Sequence, residues 1–255
     1  MRKPPARSLL MVLLAGAGLA GCVTDRTPTG SLRAASMQPA VAEAALAEWG
    51  DRYNRDPSDK TAALTYATAL RALDRNQQAV AVLESAAIKN PYDKPLLSAY
   101  GKVLADIGRL KEAAEVLPRA HTPDKPDWSV LSAQGSVADQ MGDHDSAVRY
   151  YQASLKIAPD SPATLSNLGL SYALDKRLPE AEDTLRRAAA LPGATARVRS
   201  NLAFVLALRG KDAEAEQVAR TDMSPDDAAR TVAAVKAMVN EDRPGRGRPA
   251  VKPAG

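Results

Sequence analysis

The strongest constraint in this chain is a repetition. Ala79, Ala113, Ala147, Ala181 and Ala215 recur every 34 residues, and Ala67, Gly101, Gly135, Gly169 and Ala203 recur twelve places earlier. Leu83, Leu117, Tyr151, Leu185 and Ala219 follow each alanine by four, and Ala86, Ala120, Ser154 and Ala188 come three later still. Pro91 and Pro159 close their units, with Pro192 one place early. A fixed period of this length is one supersecondary unit copied in tandem, each copy burying its apolar face against its neighbours. Composition indicates which kind of unit. Only 4% of the 255 residues are aromatic, so the core is built mostly from Ala and Leu. Those residues favour closely packed helices over sheets.

Two antiparallel helices fit the period. A small residue on the first and an alanine on the second let the backbones approach, and a bulky side chain at either place would overpack the contact by roughly 1–3 kcal/mol. The Leu or Tyr one turn after the alanine is predicted to face the next unit, because i and i+4 share a helix face. Gly108, Gly142 and Gly210 stand where a helix C-terminus needs a positive φ. Pro179 stands near the first turn of a second helix, where a missing N–H costs nothing. Pro118, well inside a second helix, predicts a kinked or shortened helix and a longer loop before Trp128.

This pattern resembles the tetratricopeptide repeat (TPR). The resemblance implies an all-α fold, a right-handed α-solenoid of TPR helical hairpins with capping helices. Its five units are 60–93, 94–127, 128–161, 162–195 and 196–223. Residues 41–59 read as an N-terminal capping half-repeat, with Ala45 and Pro57 in register. Ser224-Pro225-Asp226-Asp227 is a helix start, with an N-cap Ser, Pro at the first position and acids at the positive dipole end. It opens a capping helix over 224–240.

The N-terminus reads as an address. Arg2, Lys3 and Arg7 precede an apolar run of 12 residues, Leu9 to Ala20. That is short of the roughly 20 residues a membrane-spanning helix needs, and it is the pattern of a secretory signal. The run ends Leu19-Ala20-Gly21-Cys22, with the chain's one cysteine in last place. This resembles the lipobox of bacterial lipoproteins. The likeness implies a signal peptide over 1–21, cleavage between Gly21 and Cys22, and acylation of Cys22. Multiple acyl chains anchor stably where one is marginal. Val23 in place of Asp is the family's usual outer-membrane pattern, which implies the periplasmic side of the outer membrane. Residues 22–40 read as a flexible linker.

Removing the signal takes three cations from the formal +4 and leaves +1. The basic tail at 241–255, read as disordered, carries +2 of charge, so the body is −1. A nearly neutral body argues against a nucleic-acid face, which needs clustered cations. One Cys excludes a disulfide framework and a Cys-based zinc site, and two histidines, His121 and His144, leave little for a metal cage. Asp145, beside His144, reads as a helix cap. No phosphate loop and no GxSxG elbow occur. The reading has no catalytic residues, no metal, no cofactor and no small-molecule substrate, so an enzyme is not expected.

What remains is a groove. The resemblance implies a concave surface lined by first helices that binds extended peptides or partner helices. Asn167 and Asn201 occupy equivalent places, and an Asn amide donates to and accepts from a peptide backbone at once. Lys102, Asp106, Asp139 and Gln140 are the candidates flanking the same surface. The lysines and arginines that clamp a C-terminal carboxylate in chaperone-tail-binding relatives are missing, so that ligand is not expected.

A narrower likeness enters at Val198-Arg199-Ser200-Asn201-Leu202-Ala203, Leu208-Arg209-Gly210, Ala213-Glu214-Ala215-Glu216, Asp222-Met223-Ser224-Pro225 and Ala228-Ala229. With the lipobox, these are similar to the TadD family of tight-adherence (Tad) pilus-assembly lipoproteins. That likeness implies protein partners in the assembly of Flp-type pili, the secretin pore among them. An adaptor for another envelope machine, in peptidoglycan remodelling or outer-membrane protein assembly, is the alternative. A hydrolase would instead show turnover that disappears when His144 or His121 is replaced.

Overall fold

A computed structural model describes residues 39–241. The signal segment, the lipobox with Gly21 and Cys22, the linker to residue 38 and the tail after Glu241 lie outside the described residues. Among the described residues the chain is all-α. Its helices are α1 (Pro39–Arg55), α2 (Lys60–Ala72), α3 (Asn76–Lys89), α4 (Lys94–Asp106), α5 (Leu110–Val116) and α6 (Trp128–Gln140). They continue with α7 (His144–Ile157), α8 (Pro162–Leu174), α9 (Leu178–Ala190), α10 (Ala196–Leu208), α11 (Asp212–Ala219) and α12 (Pro225–Glu241). Two compact units divide between Pro159 and Asp160. The first holds α1 to α7, and the second holds α8 to α12.

The period sets both ends of each first helix. Asp59, Asp93, Asp127, Ser161 and Thr195, 34 apart, precede α2, α4, α6, α8 and α10. All but Thr195 accept a backbone N–H of the first turn on the side chain: Asp59 from Thr61 and Ala62, Asp127 from Ser129 and Val130. This satisfies amides the helix leaves without a partner. After each first helix a residue turns left-handed: Asp74, Gly108, Gly142, Lys176 and Gly210, with φ from 59° to 83°. In every case the next N–H reaches back five residues, as from Arg75 to the Leu70 carbonyl (2.8 Å) and from Arg177 to Tyr172 (2.8 Å). That is the Schellman turn, which returns the chain as a hairpin within three residues. Asp143 caps α7 through the Ser146 N–H, and Asp145 sits in the first turn, so the cap is two residues earlier than expected.

The small residues of the first helices receive the side chain that follows the repeated alanine by four, within the same hairpin. A Cβ on Gly101 would lie 2.6 Å from Leu117, one on Gly135 2.6 Å from Tyr151, and one on Gly169 2.6 Å from Leu185. The expectation that these side chains face the next unit is corrected to that extent: each seats its ring or isobutyl group on the glycine of its own hairpin. In the last hairpin both partners are alanines, and Ala203 and Ala219 pack together with Ala228 of α12.

Pro118 acts as the sequence implies. Without an N–H it cannot continue the ladder, so α5 stops after seven residues and Leu117–Ala120 tightens into a 3₁₀ turn. His121 is extended, and Thr122 pairs with Lys125 in an isolated antiparallel bridge before α6. At the other end, the Asp227 N–H donates to the Ser224 hydroxyl (3.2 Å) and opens α12.

Candidate functional site

In the first unit, the first helices α2, α4 and α6 are joined side by side through polar groups. Arg71 of α2 donates from Nη2 to Oδ2 of Asp106 on α4 at 2.5 Å, with both side chains about one-tenth exposed. One turn earlier on α4, Lys102 Nζ donates to the Ser129 hydroxyl of α6 at 2.9 Å. That hydroxyl donates in turn to Asp127 (2.6 Å), which caps the helix. Burial drives both α4 charges toward neutrality. It lowers the pKa of Lys102, against the pull of Asp127, and raises that of Asp106, against the Arg71 guanidinium. Asp139 and Gln140, at the end of α6, meet side chains of their own hairpin. Asp139 Oδ1 is 2.9 Å from His144 Nδ1, and Gln140 reaches Ser136 at 3.4 Å. Lys102 and Asp106 thus tie α4 to the neighbouring first helices, while Asp139 and Gln140 meet His144 and Ser136.

The second unit places the two asparagines in a seam. Asn167 is buried on α8, and its half-buried equivalent Asn201 on α10 donates from Nδ2 to the buried Ser166 hydroxyl at 2.9 Å. Thr164 and Ser171 of α8 are buried as well. The pair expected to offer two open amides to a peptide lies mostly inside the packing.

One cluster in the second unit escapes the sequence reading. Glu182 of α9 is almost fully buried, yet three cations converge on it. Its Oε1 accepts from Arg186 (2.7 Å) and from Lys211 (2.7 Å), its Oε2 accepts from Arg209, and Arg186 also binds Glu214 of α11 at 2.6 Å. Burial pushes this carboxyl up, but the hydrogen bonds from Lys211 and Arg186 and the nearby arginine charges overcome it, bringing its pKa down to about 2. Arg186 is visible in sequence as the i+4 partner of Glu182. Arg209 and Lys211 flank the Gly210 turn 27 and 29 residues on, where only the folded hairpins bring them close. A second clamp closes the last hairpin: Arg199 binds both oxygens of Asp222, at 2.7 and 2.6 Å, and the Ala194 carbonyl at 2.9 Å.

None of these groups forms a nucleophile–base pair or two facing carboxylates. Among the described residues no cluster of His, Cys, Asp and Glu has metal-site geometry, and no helix is long and apolar enough to cross a membrane. His121 meets Gln134 at 3.3 Å, and His144 meets Asp139.

Residues 132–195 match the family profile described as a tetratricopeptide repeat. Solved structures agree over more of the chain. A thermophilic TPR protein of Thermus thermophilus aligns with a TM-score of 0.58 at 21% identity, over 70% of this chain and 97% of that one. A TPR protein from Parabacteroides merdae aligns with a TM-score of 0.62 at 10% identity, over 78% of each chain. The fold is that of the tetratricopeptide repeat. YrrB, described as a TPR protein with an unusual peptide-binding site, aligns with a TM-score of 0.50 at 15% identity, over 76% of this chain and 96% of YrrB. No curated protein matches the chain by sequence. The tetratricopeptide fold generally serves as a non-catalytic scaffold on which proteins meet, and the all-helical hairpin reading holds throughout the described residues.

Proposed function

We propose that this chain is a lipid-anchored adaptor of the outer membrane that holds partner proteins without transforming them. Its place is in the assembly of Tad-type pili beside their secretin. The observation that carries the adaptor reading is the tandem hairpin itself, whose first helices lie side by side within each unit and are joined through hydroxyl, carboxamide and paired charged groups. The peptide site described for YrrB is consistent with such a use of the fold. For the tether, the support is Leu19-Ala20-Gly21-Cys22 behind a short apolar run. For the pilus, it is the segment from Val198 to Ala229, two pieces of which are joined by the Arg199–Asp222 clamp.

Two measurements test the reading separately. Metabolic labelling with a fatty-acid probe is expected to mark the native chain and to leave the Cys22→Ser variant unmarked; continued labelling of the variant would remove the tether. Crosslinking capture from the native envelope is expected to recover secretin and other pilus components. Recovery of peptidoglycan-remodelling or outer-membrane-assembly proteins in their place would move the adaptor to another machine.

A further inference from the structure

Each hairpin of the first unit has two ends, one at the Schellman turn and one where a second helix hands over to the next first helix. Hydrogen bonds place the handover segments along one edge. Lys60 binds Asp93 (2.8 Å), Lys94 reaches the Thr122 hydroxyl (3.4 Å), Arg119 donates to the Pro91 carbonyl (3.0 Å), and Ser154 donates to the Trp128 carbonyl (2.7 Å). Segments 55–60, 88–94, 119–128 and 156–159 along this edge hold seven Lys and Arg against five Asp. At the turn edge, segments 72–76, 106–112 and 140–145 hold three Lys and Arg against five carboxylates.

The five aspartates of the handover edge accept hydrogen bonds within the fold and keep their charge, which leaves seven cations against five anions there. Asp59, Asp93 and Asp127 cap helices, Asp56 accepts the N–H and hydroxyl of Ser58, and Asp124 accepts from Thr122. Arg119 and Lys94 bind neutral oxygens, and Lys89, Lys125 and Lys156 are exposed; Lys94 and Lys89 also feel the charges of Asp124 and Asp56. The same edge carries most of the unit's exposed large apolar side chains. Tyr92 is 89% exposed, Ile88 one turn earlier 76%, and Trp128 and Ile157 43% each; Val41 and Met141 lie elsewhere. These side chains stand exposed on the edge that also carries the cations. Tyrosine and tryptophan rings settle at the headgroup level of bilayers, and cations beside them are drawn to anionic lipid.

We infer that the handover edge of the first unit docks on an anionic membrane surface, with Ile88 and Tyr92 entering the headgroup layer and Lys89 and Arg119 facing lipid phosphates. The edge is independent of the groove. An acyl tether at Cys22 would raise the local lipid concentration it meets, but the docking chemistry needs only the edge.

The test uses the full-length Cys22→Ser chain, so that no acyl group contributes, and co-sedimentation with vesicles of phosphatidylcholine with or without phosphatidylglycerol. Binding is expected only to the anionic vesicles, weakening as salt is raised. The pair Ile88→Ser with Tyr92→Ser is expected to reduce it at least tenfold, and so is Lys89→Glu with Arg119→Glu. These positions are exposed, so circular dichroism is expected to stay unchanged. Failure to bind anionic vesicles, equal binding to neutral ones, or indifference to either pair of substitutions would overturn the inference. So would tight binding of soluble polyglutamate that survives loss of Ile88 and Tyr92, since that is the behaviour of a site for acidic protein. Fatty-acid labelling of the native chain reads the tether on its own, so the two ideas fail separately.

Discussion

Glu182→Gln removes one negative charge from the point where Arg186, Arg209 and Lys211 meet, with little change in volume. In the folded chain the Glu182 carboxyl lies at about 2 against an ordinary 4.5. At about 1.4 kcal/mol per pKa unit, that difference is on the order of 3 kcal/mol of stability held by the charged form. Because the folded pKa is depressed, this contribution is fully present above the ordinary value and is lost as pH falls from about 4.5 toward 2. Urea unfolding should therefore show Glu182→Gln less stable than the native chain by about 3 kcal/mol at neutral pH. Near pH 3 the gap should be about half of that, since the native glutamate is itself becoming neutral. Denaturation should be followed by a probe in the second unit, where α9 and the turn between α10 and α11 share this carboxylate. A deficit below about 1 kcal/mol at neutral pH, or one that does not shrink in acid, would refute the claim that the cluster stabilises through the charge of Glu182.

Other expectations concern the repeat. Gly135→Ala should cost about 1–3 kcal/mol in chemical denaturation, because its Cβ would lie 2.6 Å from the Tyr151 ring, and adding Tyr151→Leu should return part of the loss. Lys176→Gly should raise stability by about 0.5–1 kcal/mol, since Lys176 sits at φ 63° where glycine carries no Cβ penalty. A fall in the unfolding midpoint would count against left-handed strain at that turn. Asp127→Ala should lose about 1 kcal/mol as the cap of α6 disappears. Hydrogen exchange in the first turn of α6 should rise with it, and unchanged protection there would show the cap to be dispensable.

The hairpin architecture was legible because close packing leaves a compositional trace. The period showed that Gly101, Gly135 and Gly169 must be small, but not that the Leu or Tyr of the same hairpin sits on each. The turns were half legible. Gly108, Gly142 and Gly210 announce a positive φ, whereas Asp74 and Lys176 adopt the same conformation with side chains that give no sign of it. Only their place in the period identifies them. The aspartate caps carry the period as well, in residues that look like ordinary surface acids.

The candidate groove was harder to read. A polar residue on a first helix is equally compatible with solvent and with a hydroxyl-lined seam, and Asn167 lies in the second. Its position within the repeat fixes the helix face but not what covers that face. Glu182 was hidden for a different reason: two of its three cations belong to the next hairpin, and no local pattern joins residues that far apart. The boundary at Pro159 left no trace either, because the spacing of alanines and glycines runs through it unbroken.

Sixteen residues separate Gly101 from Leu117, Gly135 from Tyr151 and Gly169 from Leu185. Such a distance, measured around a turn closed by its own backbone, behaves as a ruler. One residue more or fewer inside a hairpin would rotate the large side chain off its glycine and leave a clash on one face and a void on the other. Length can change only where the ruler does not reach, in links such as Thr122 to Pro126. Natural variants that gain or lose residues should therefore do so there, and any grafted loop or reporter tag is best inserted at that site.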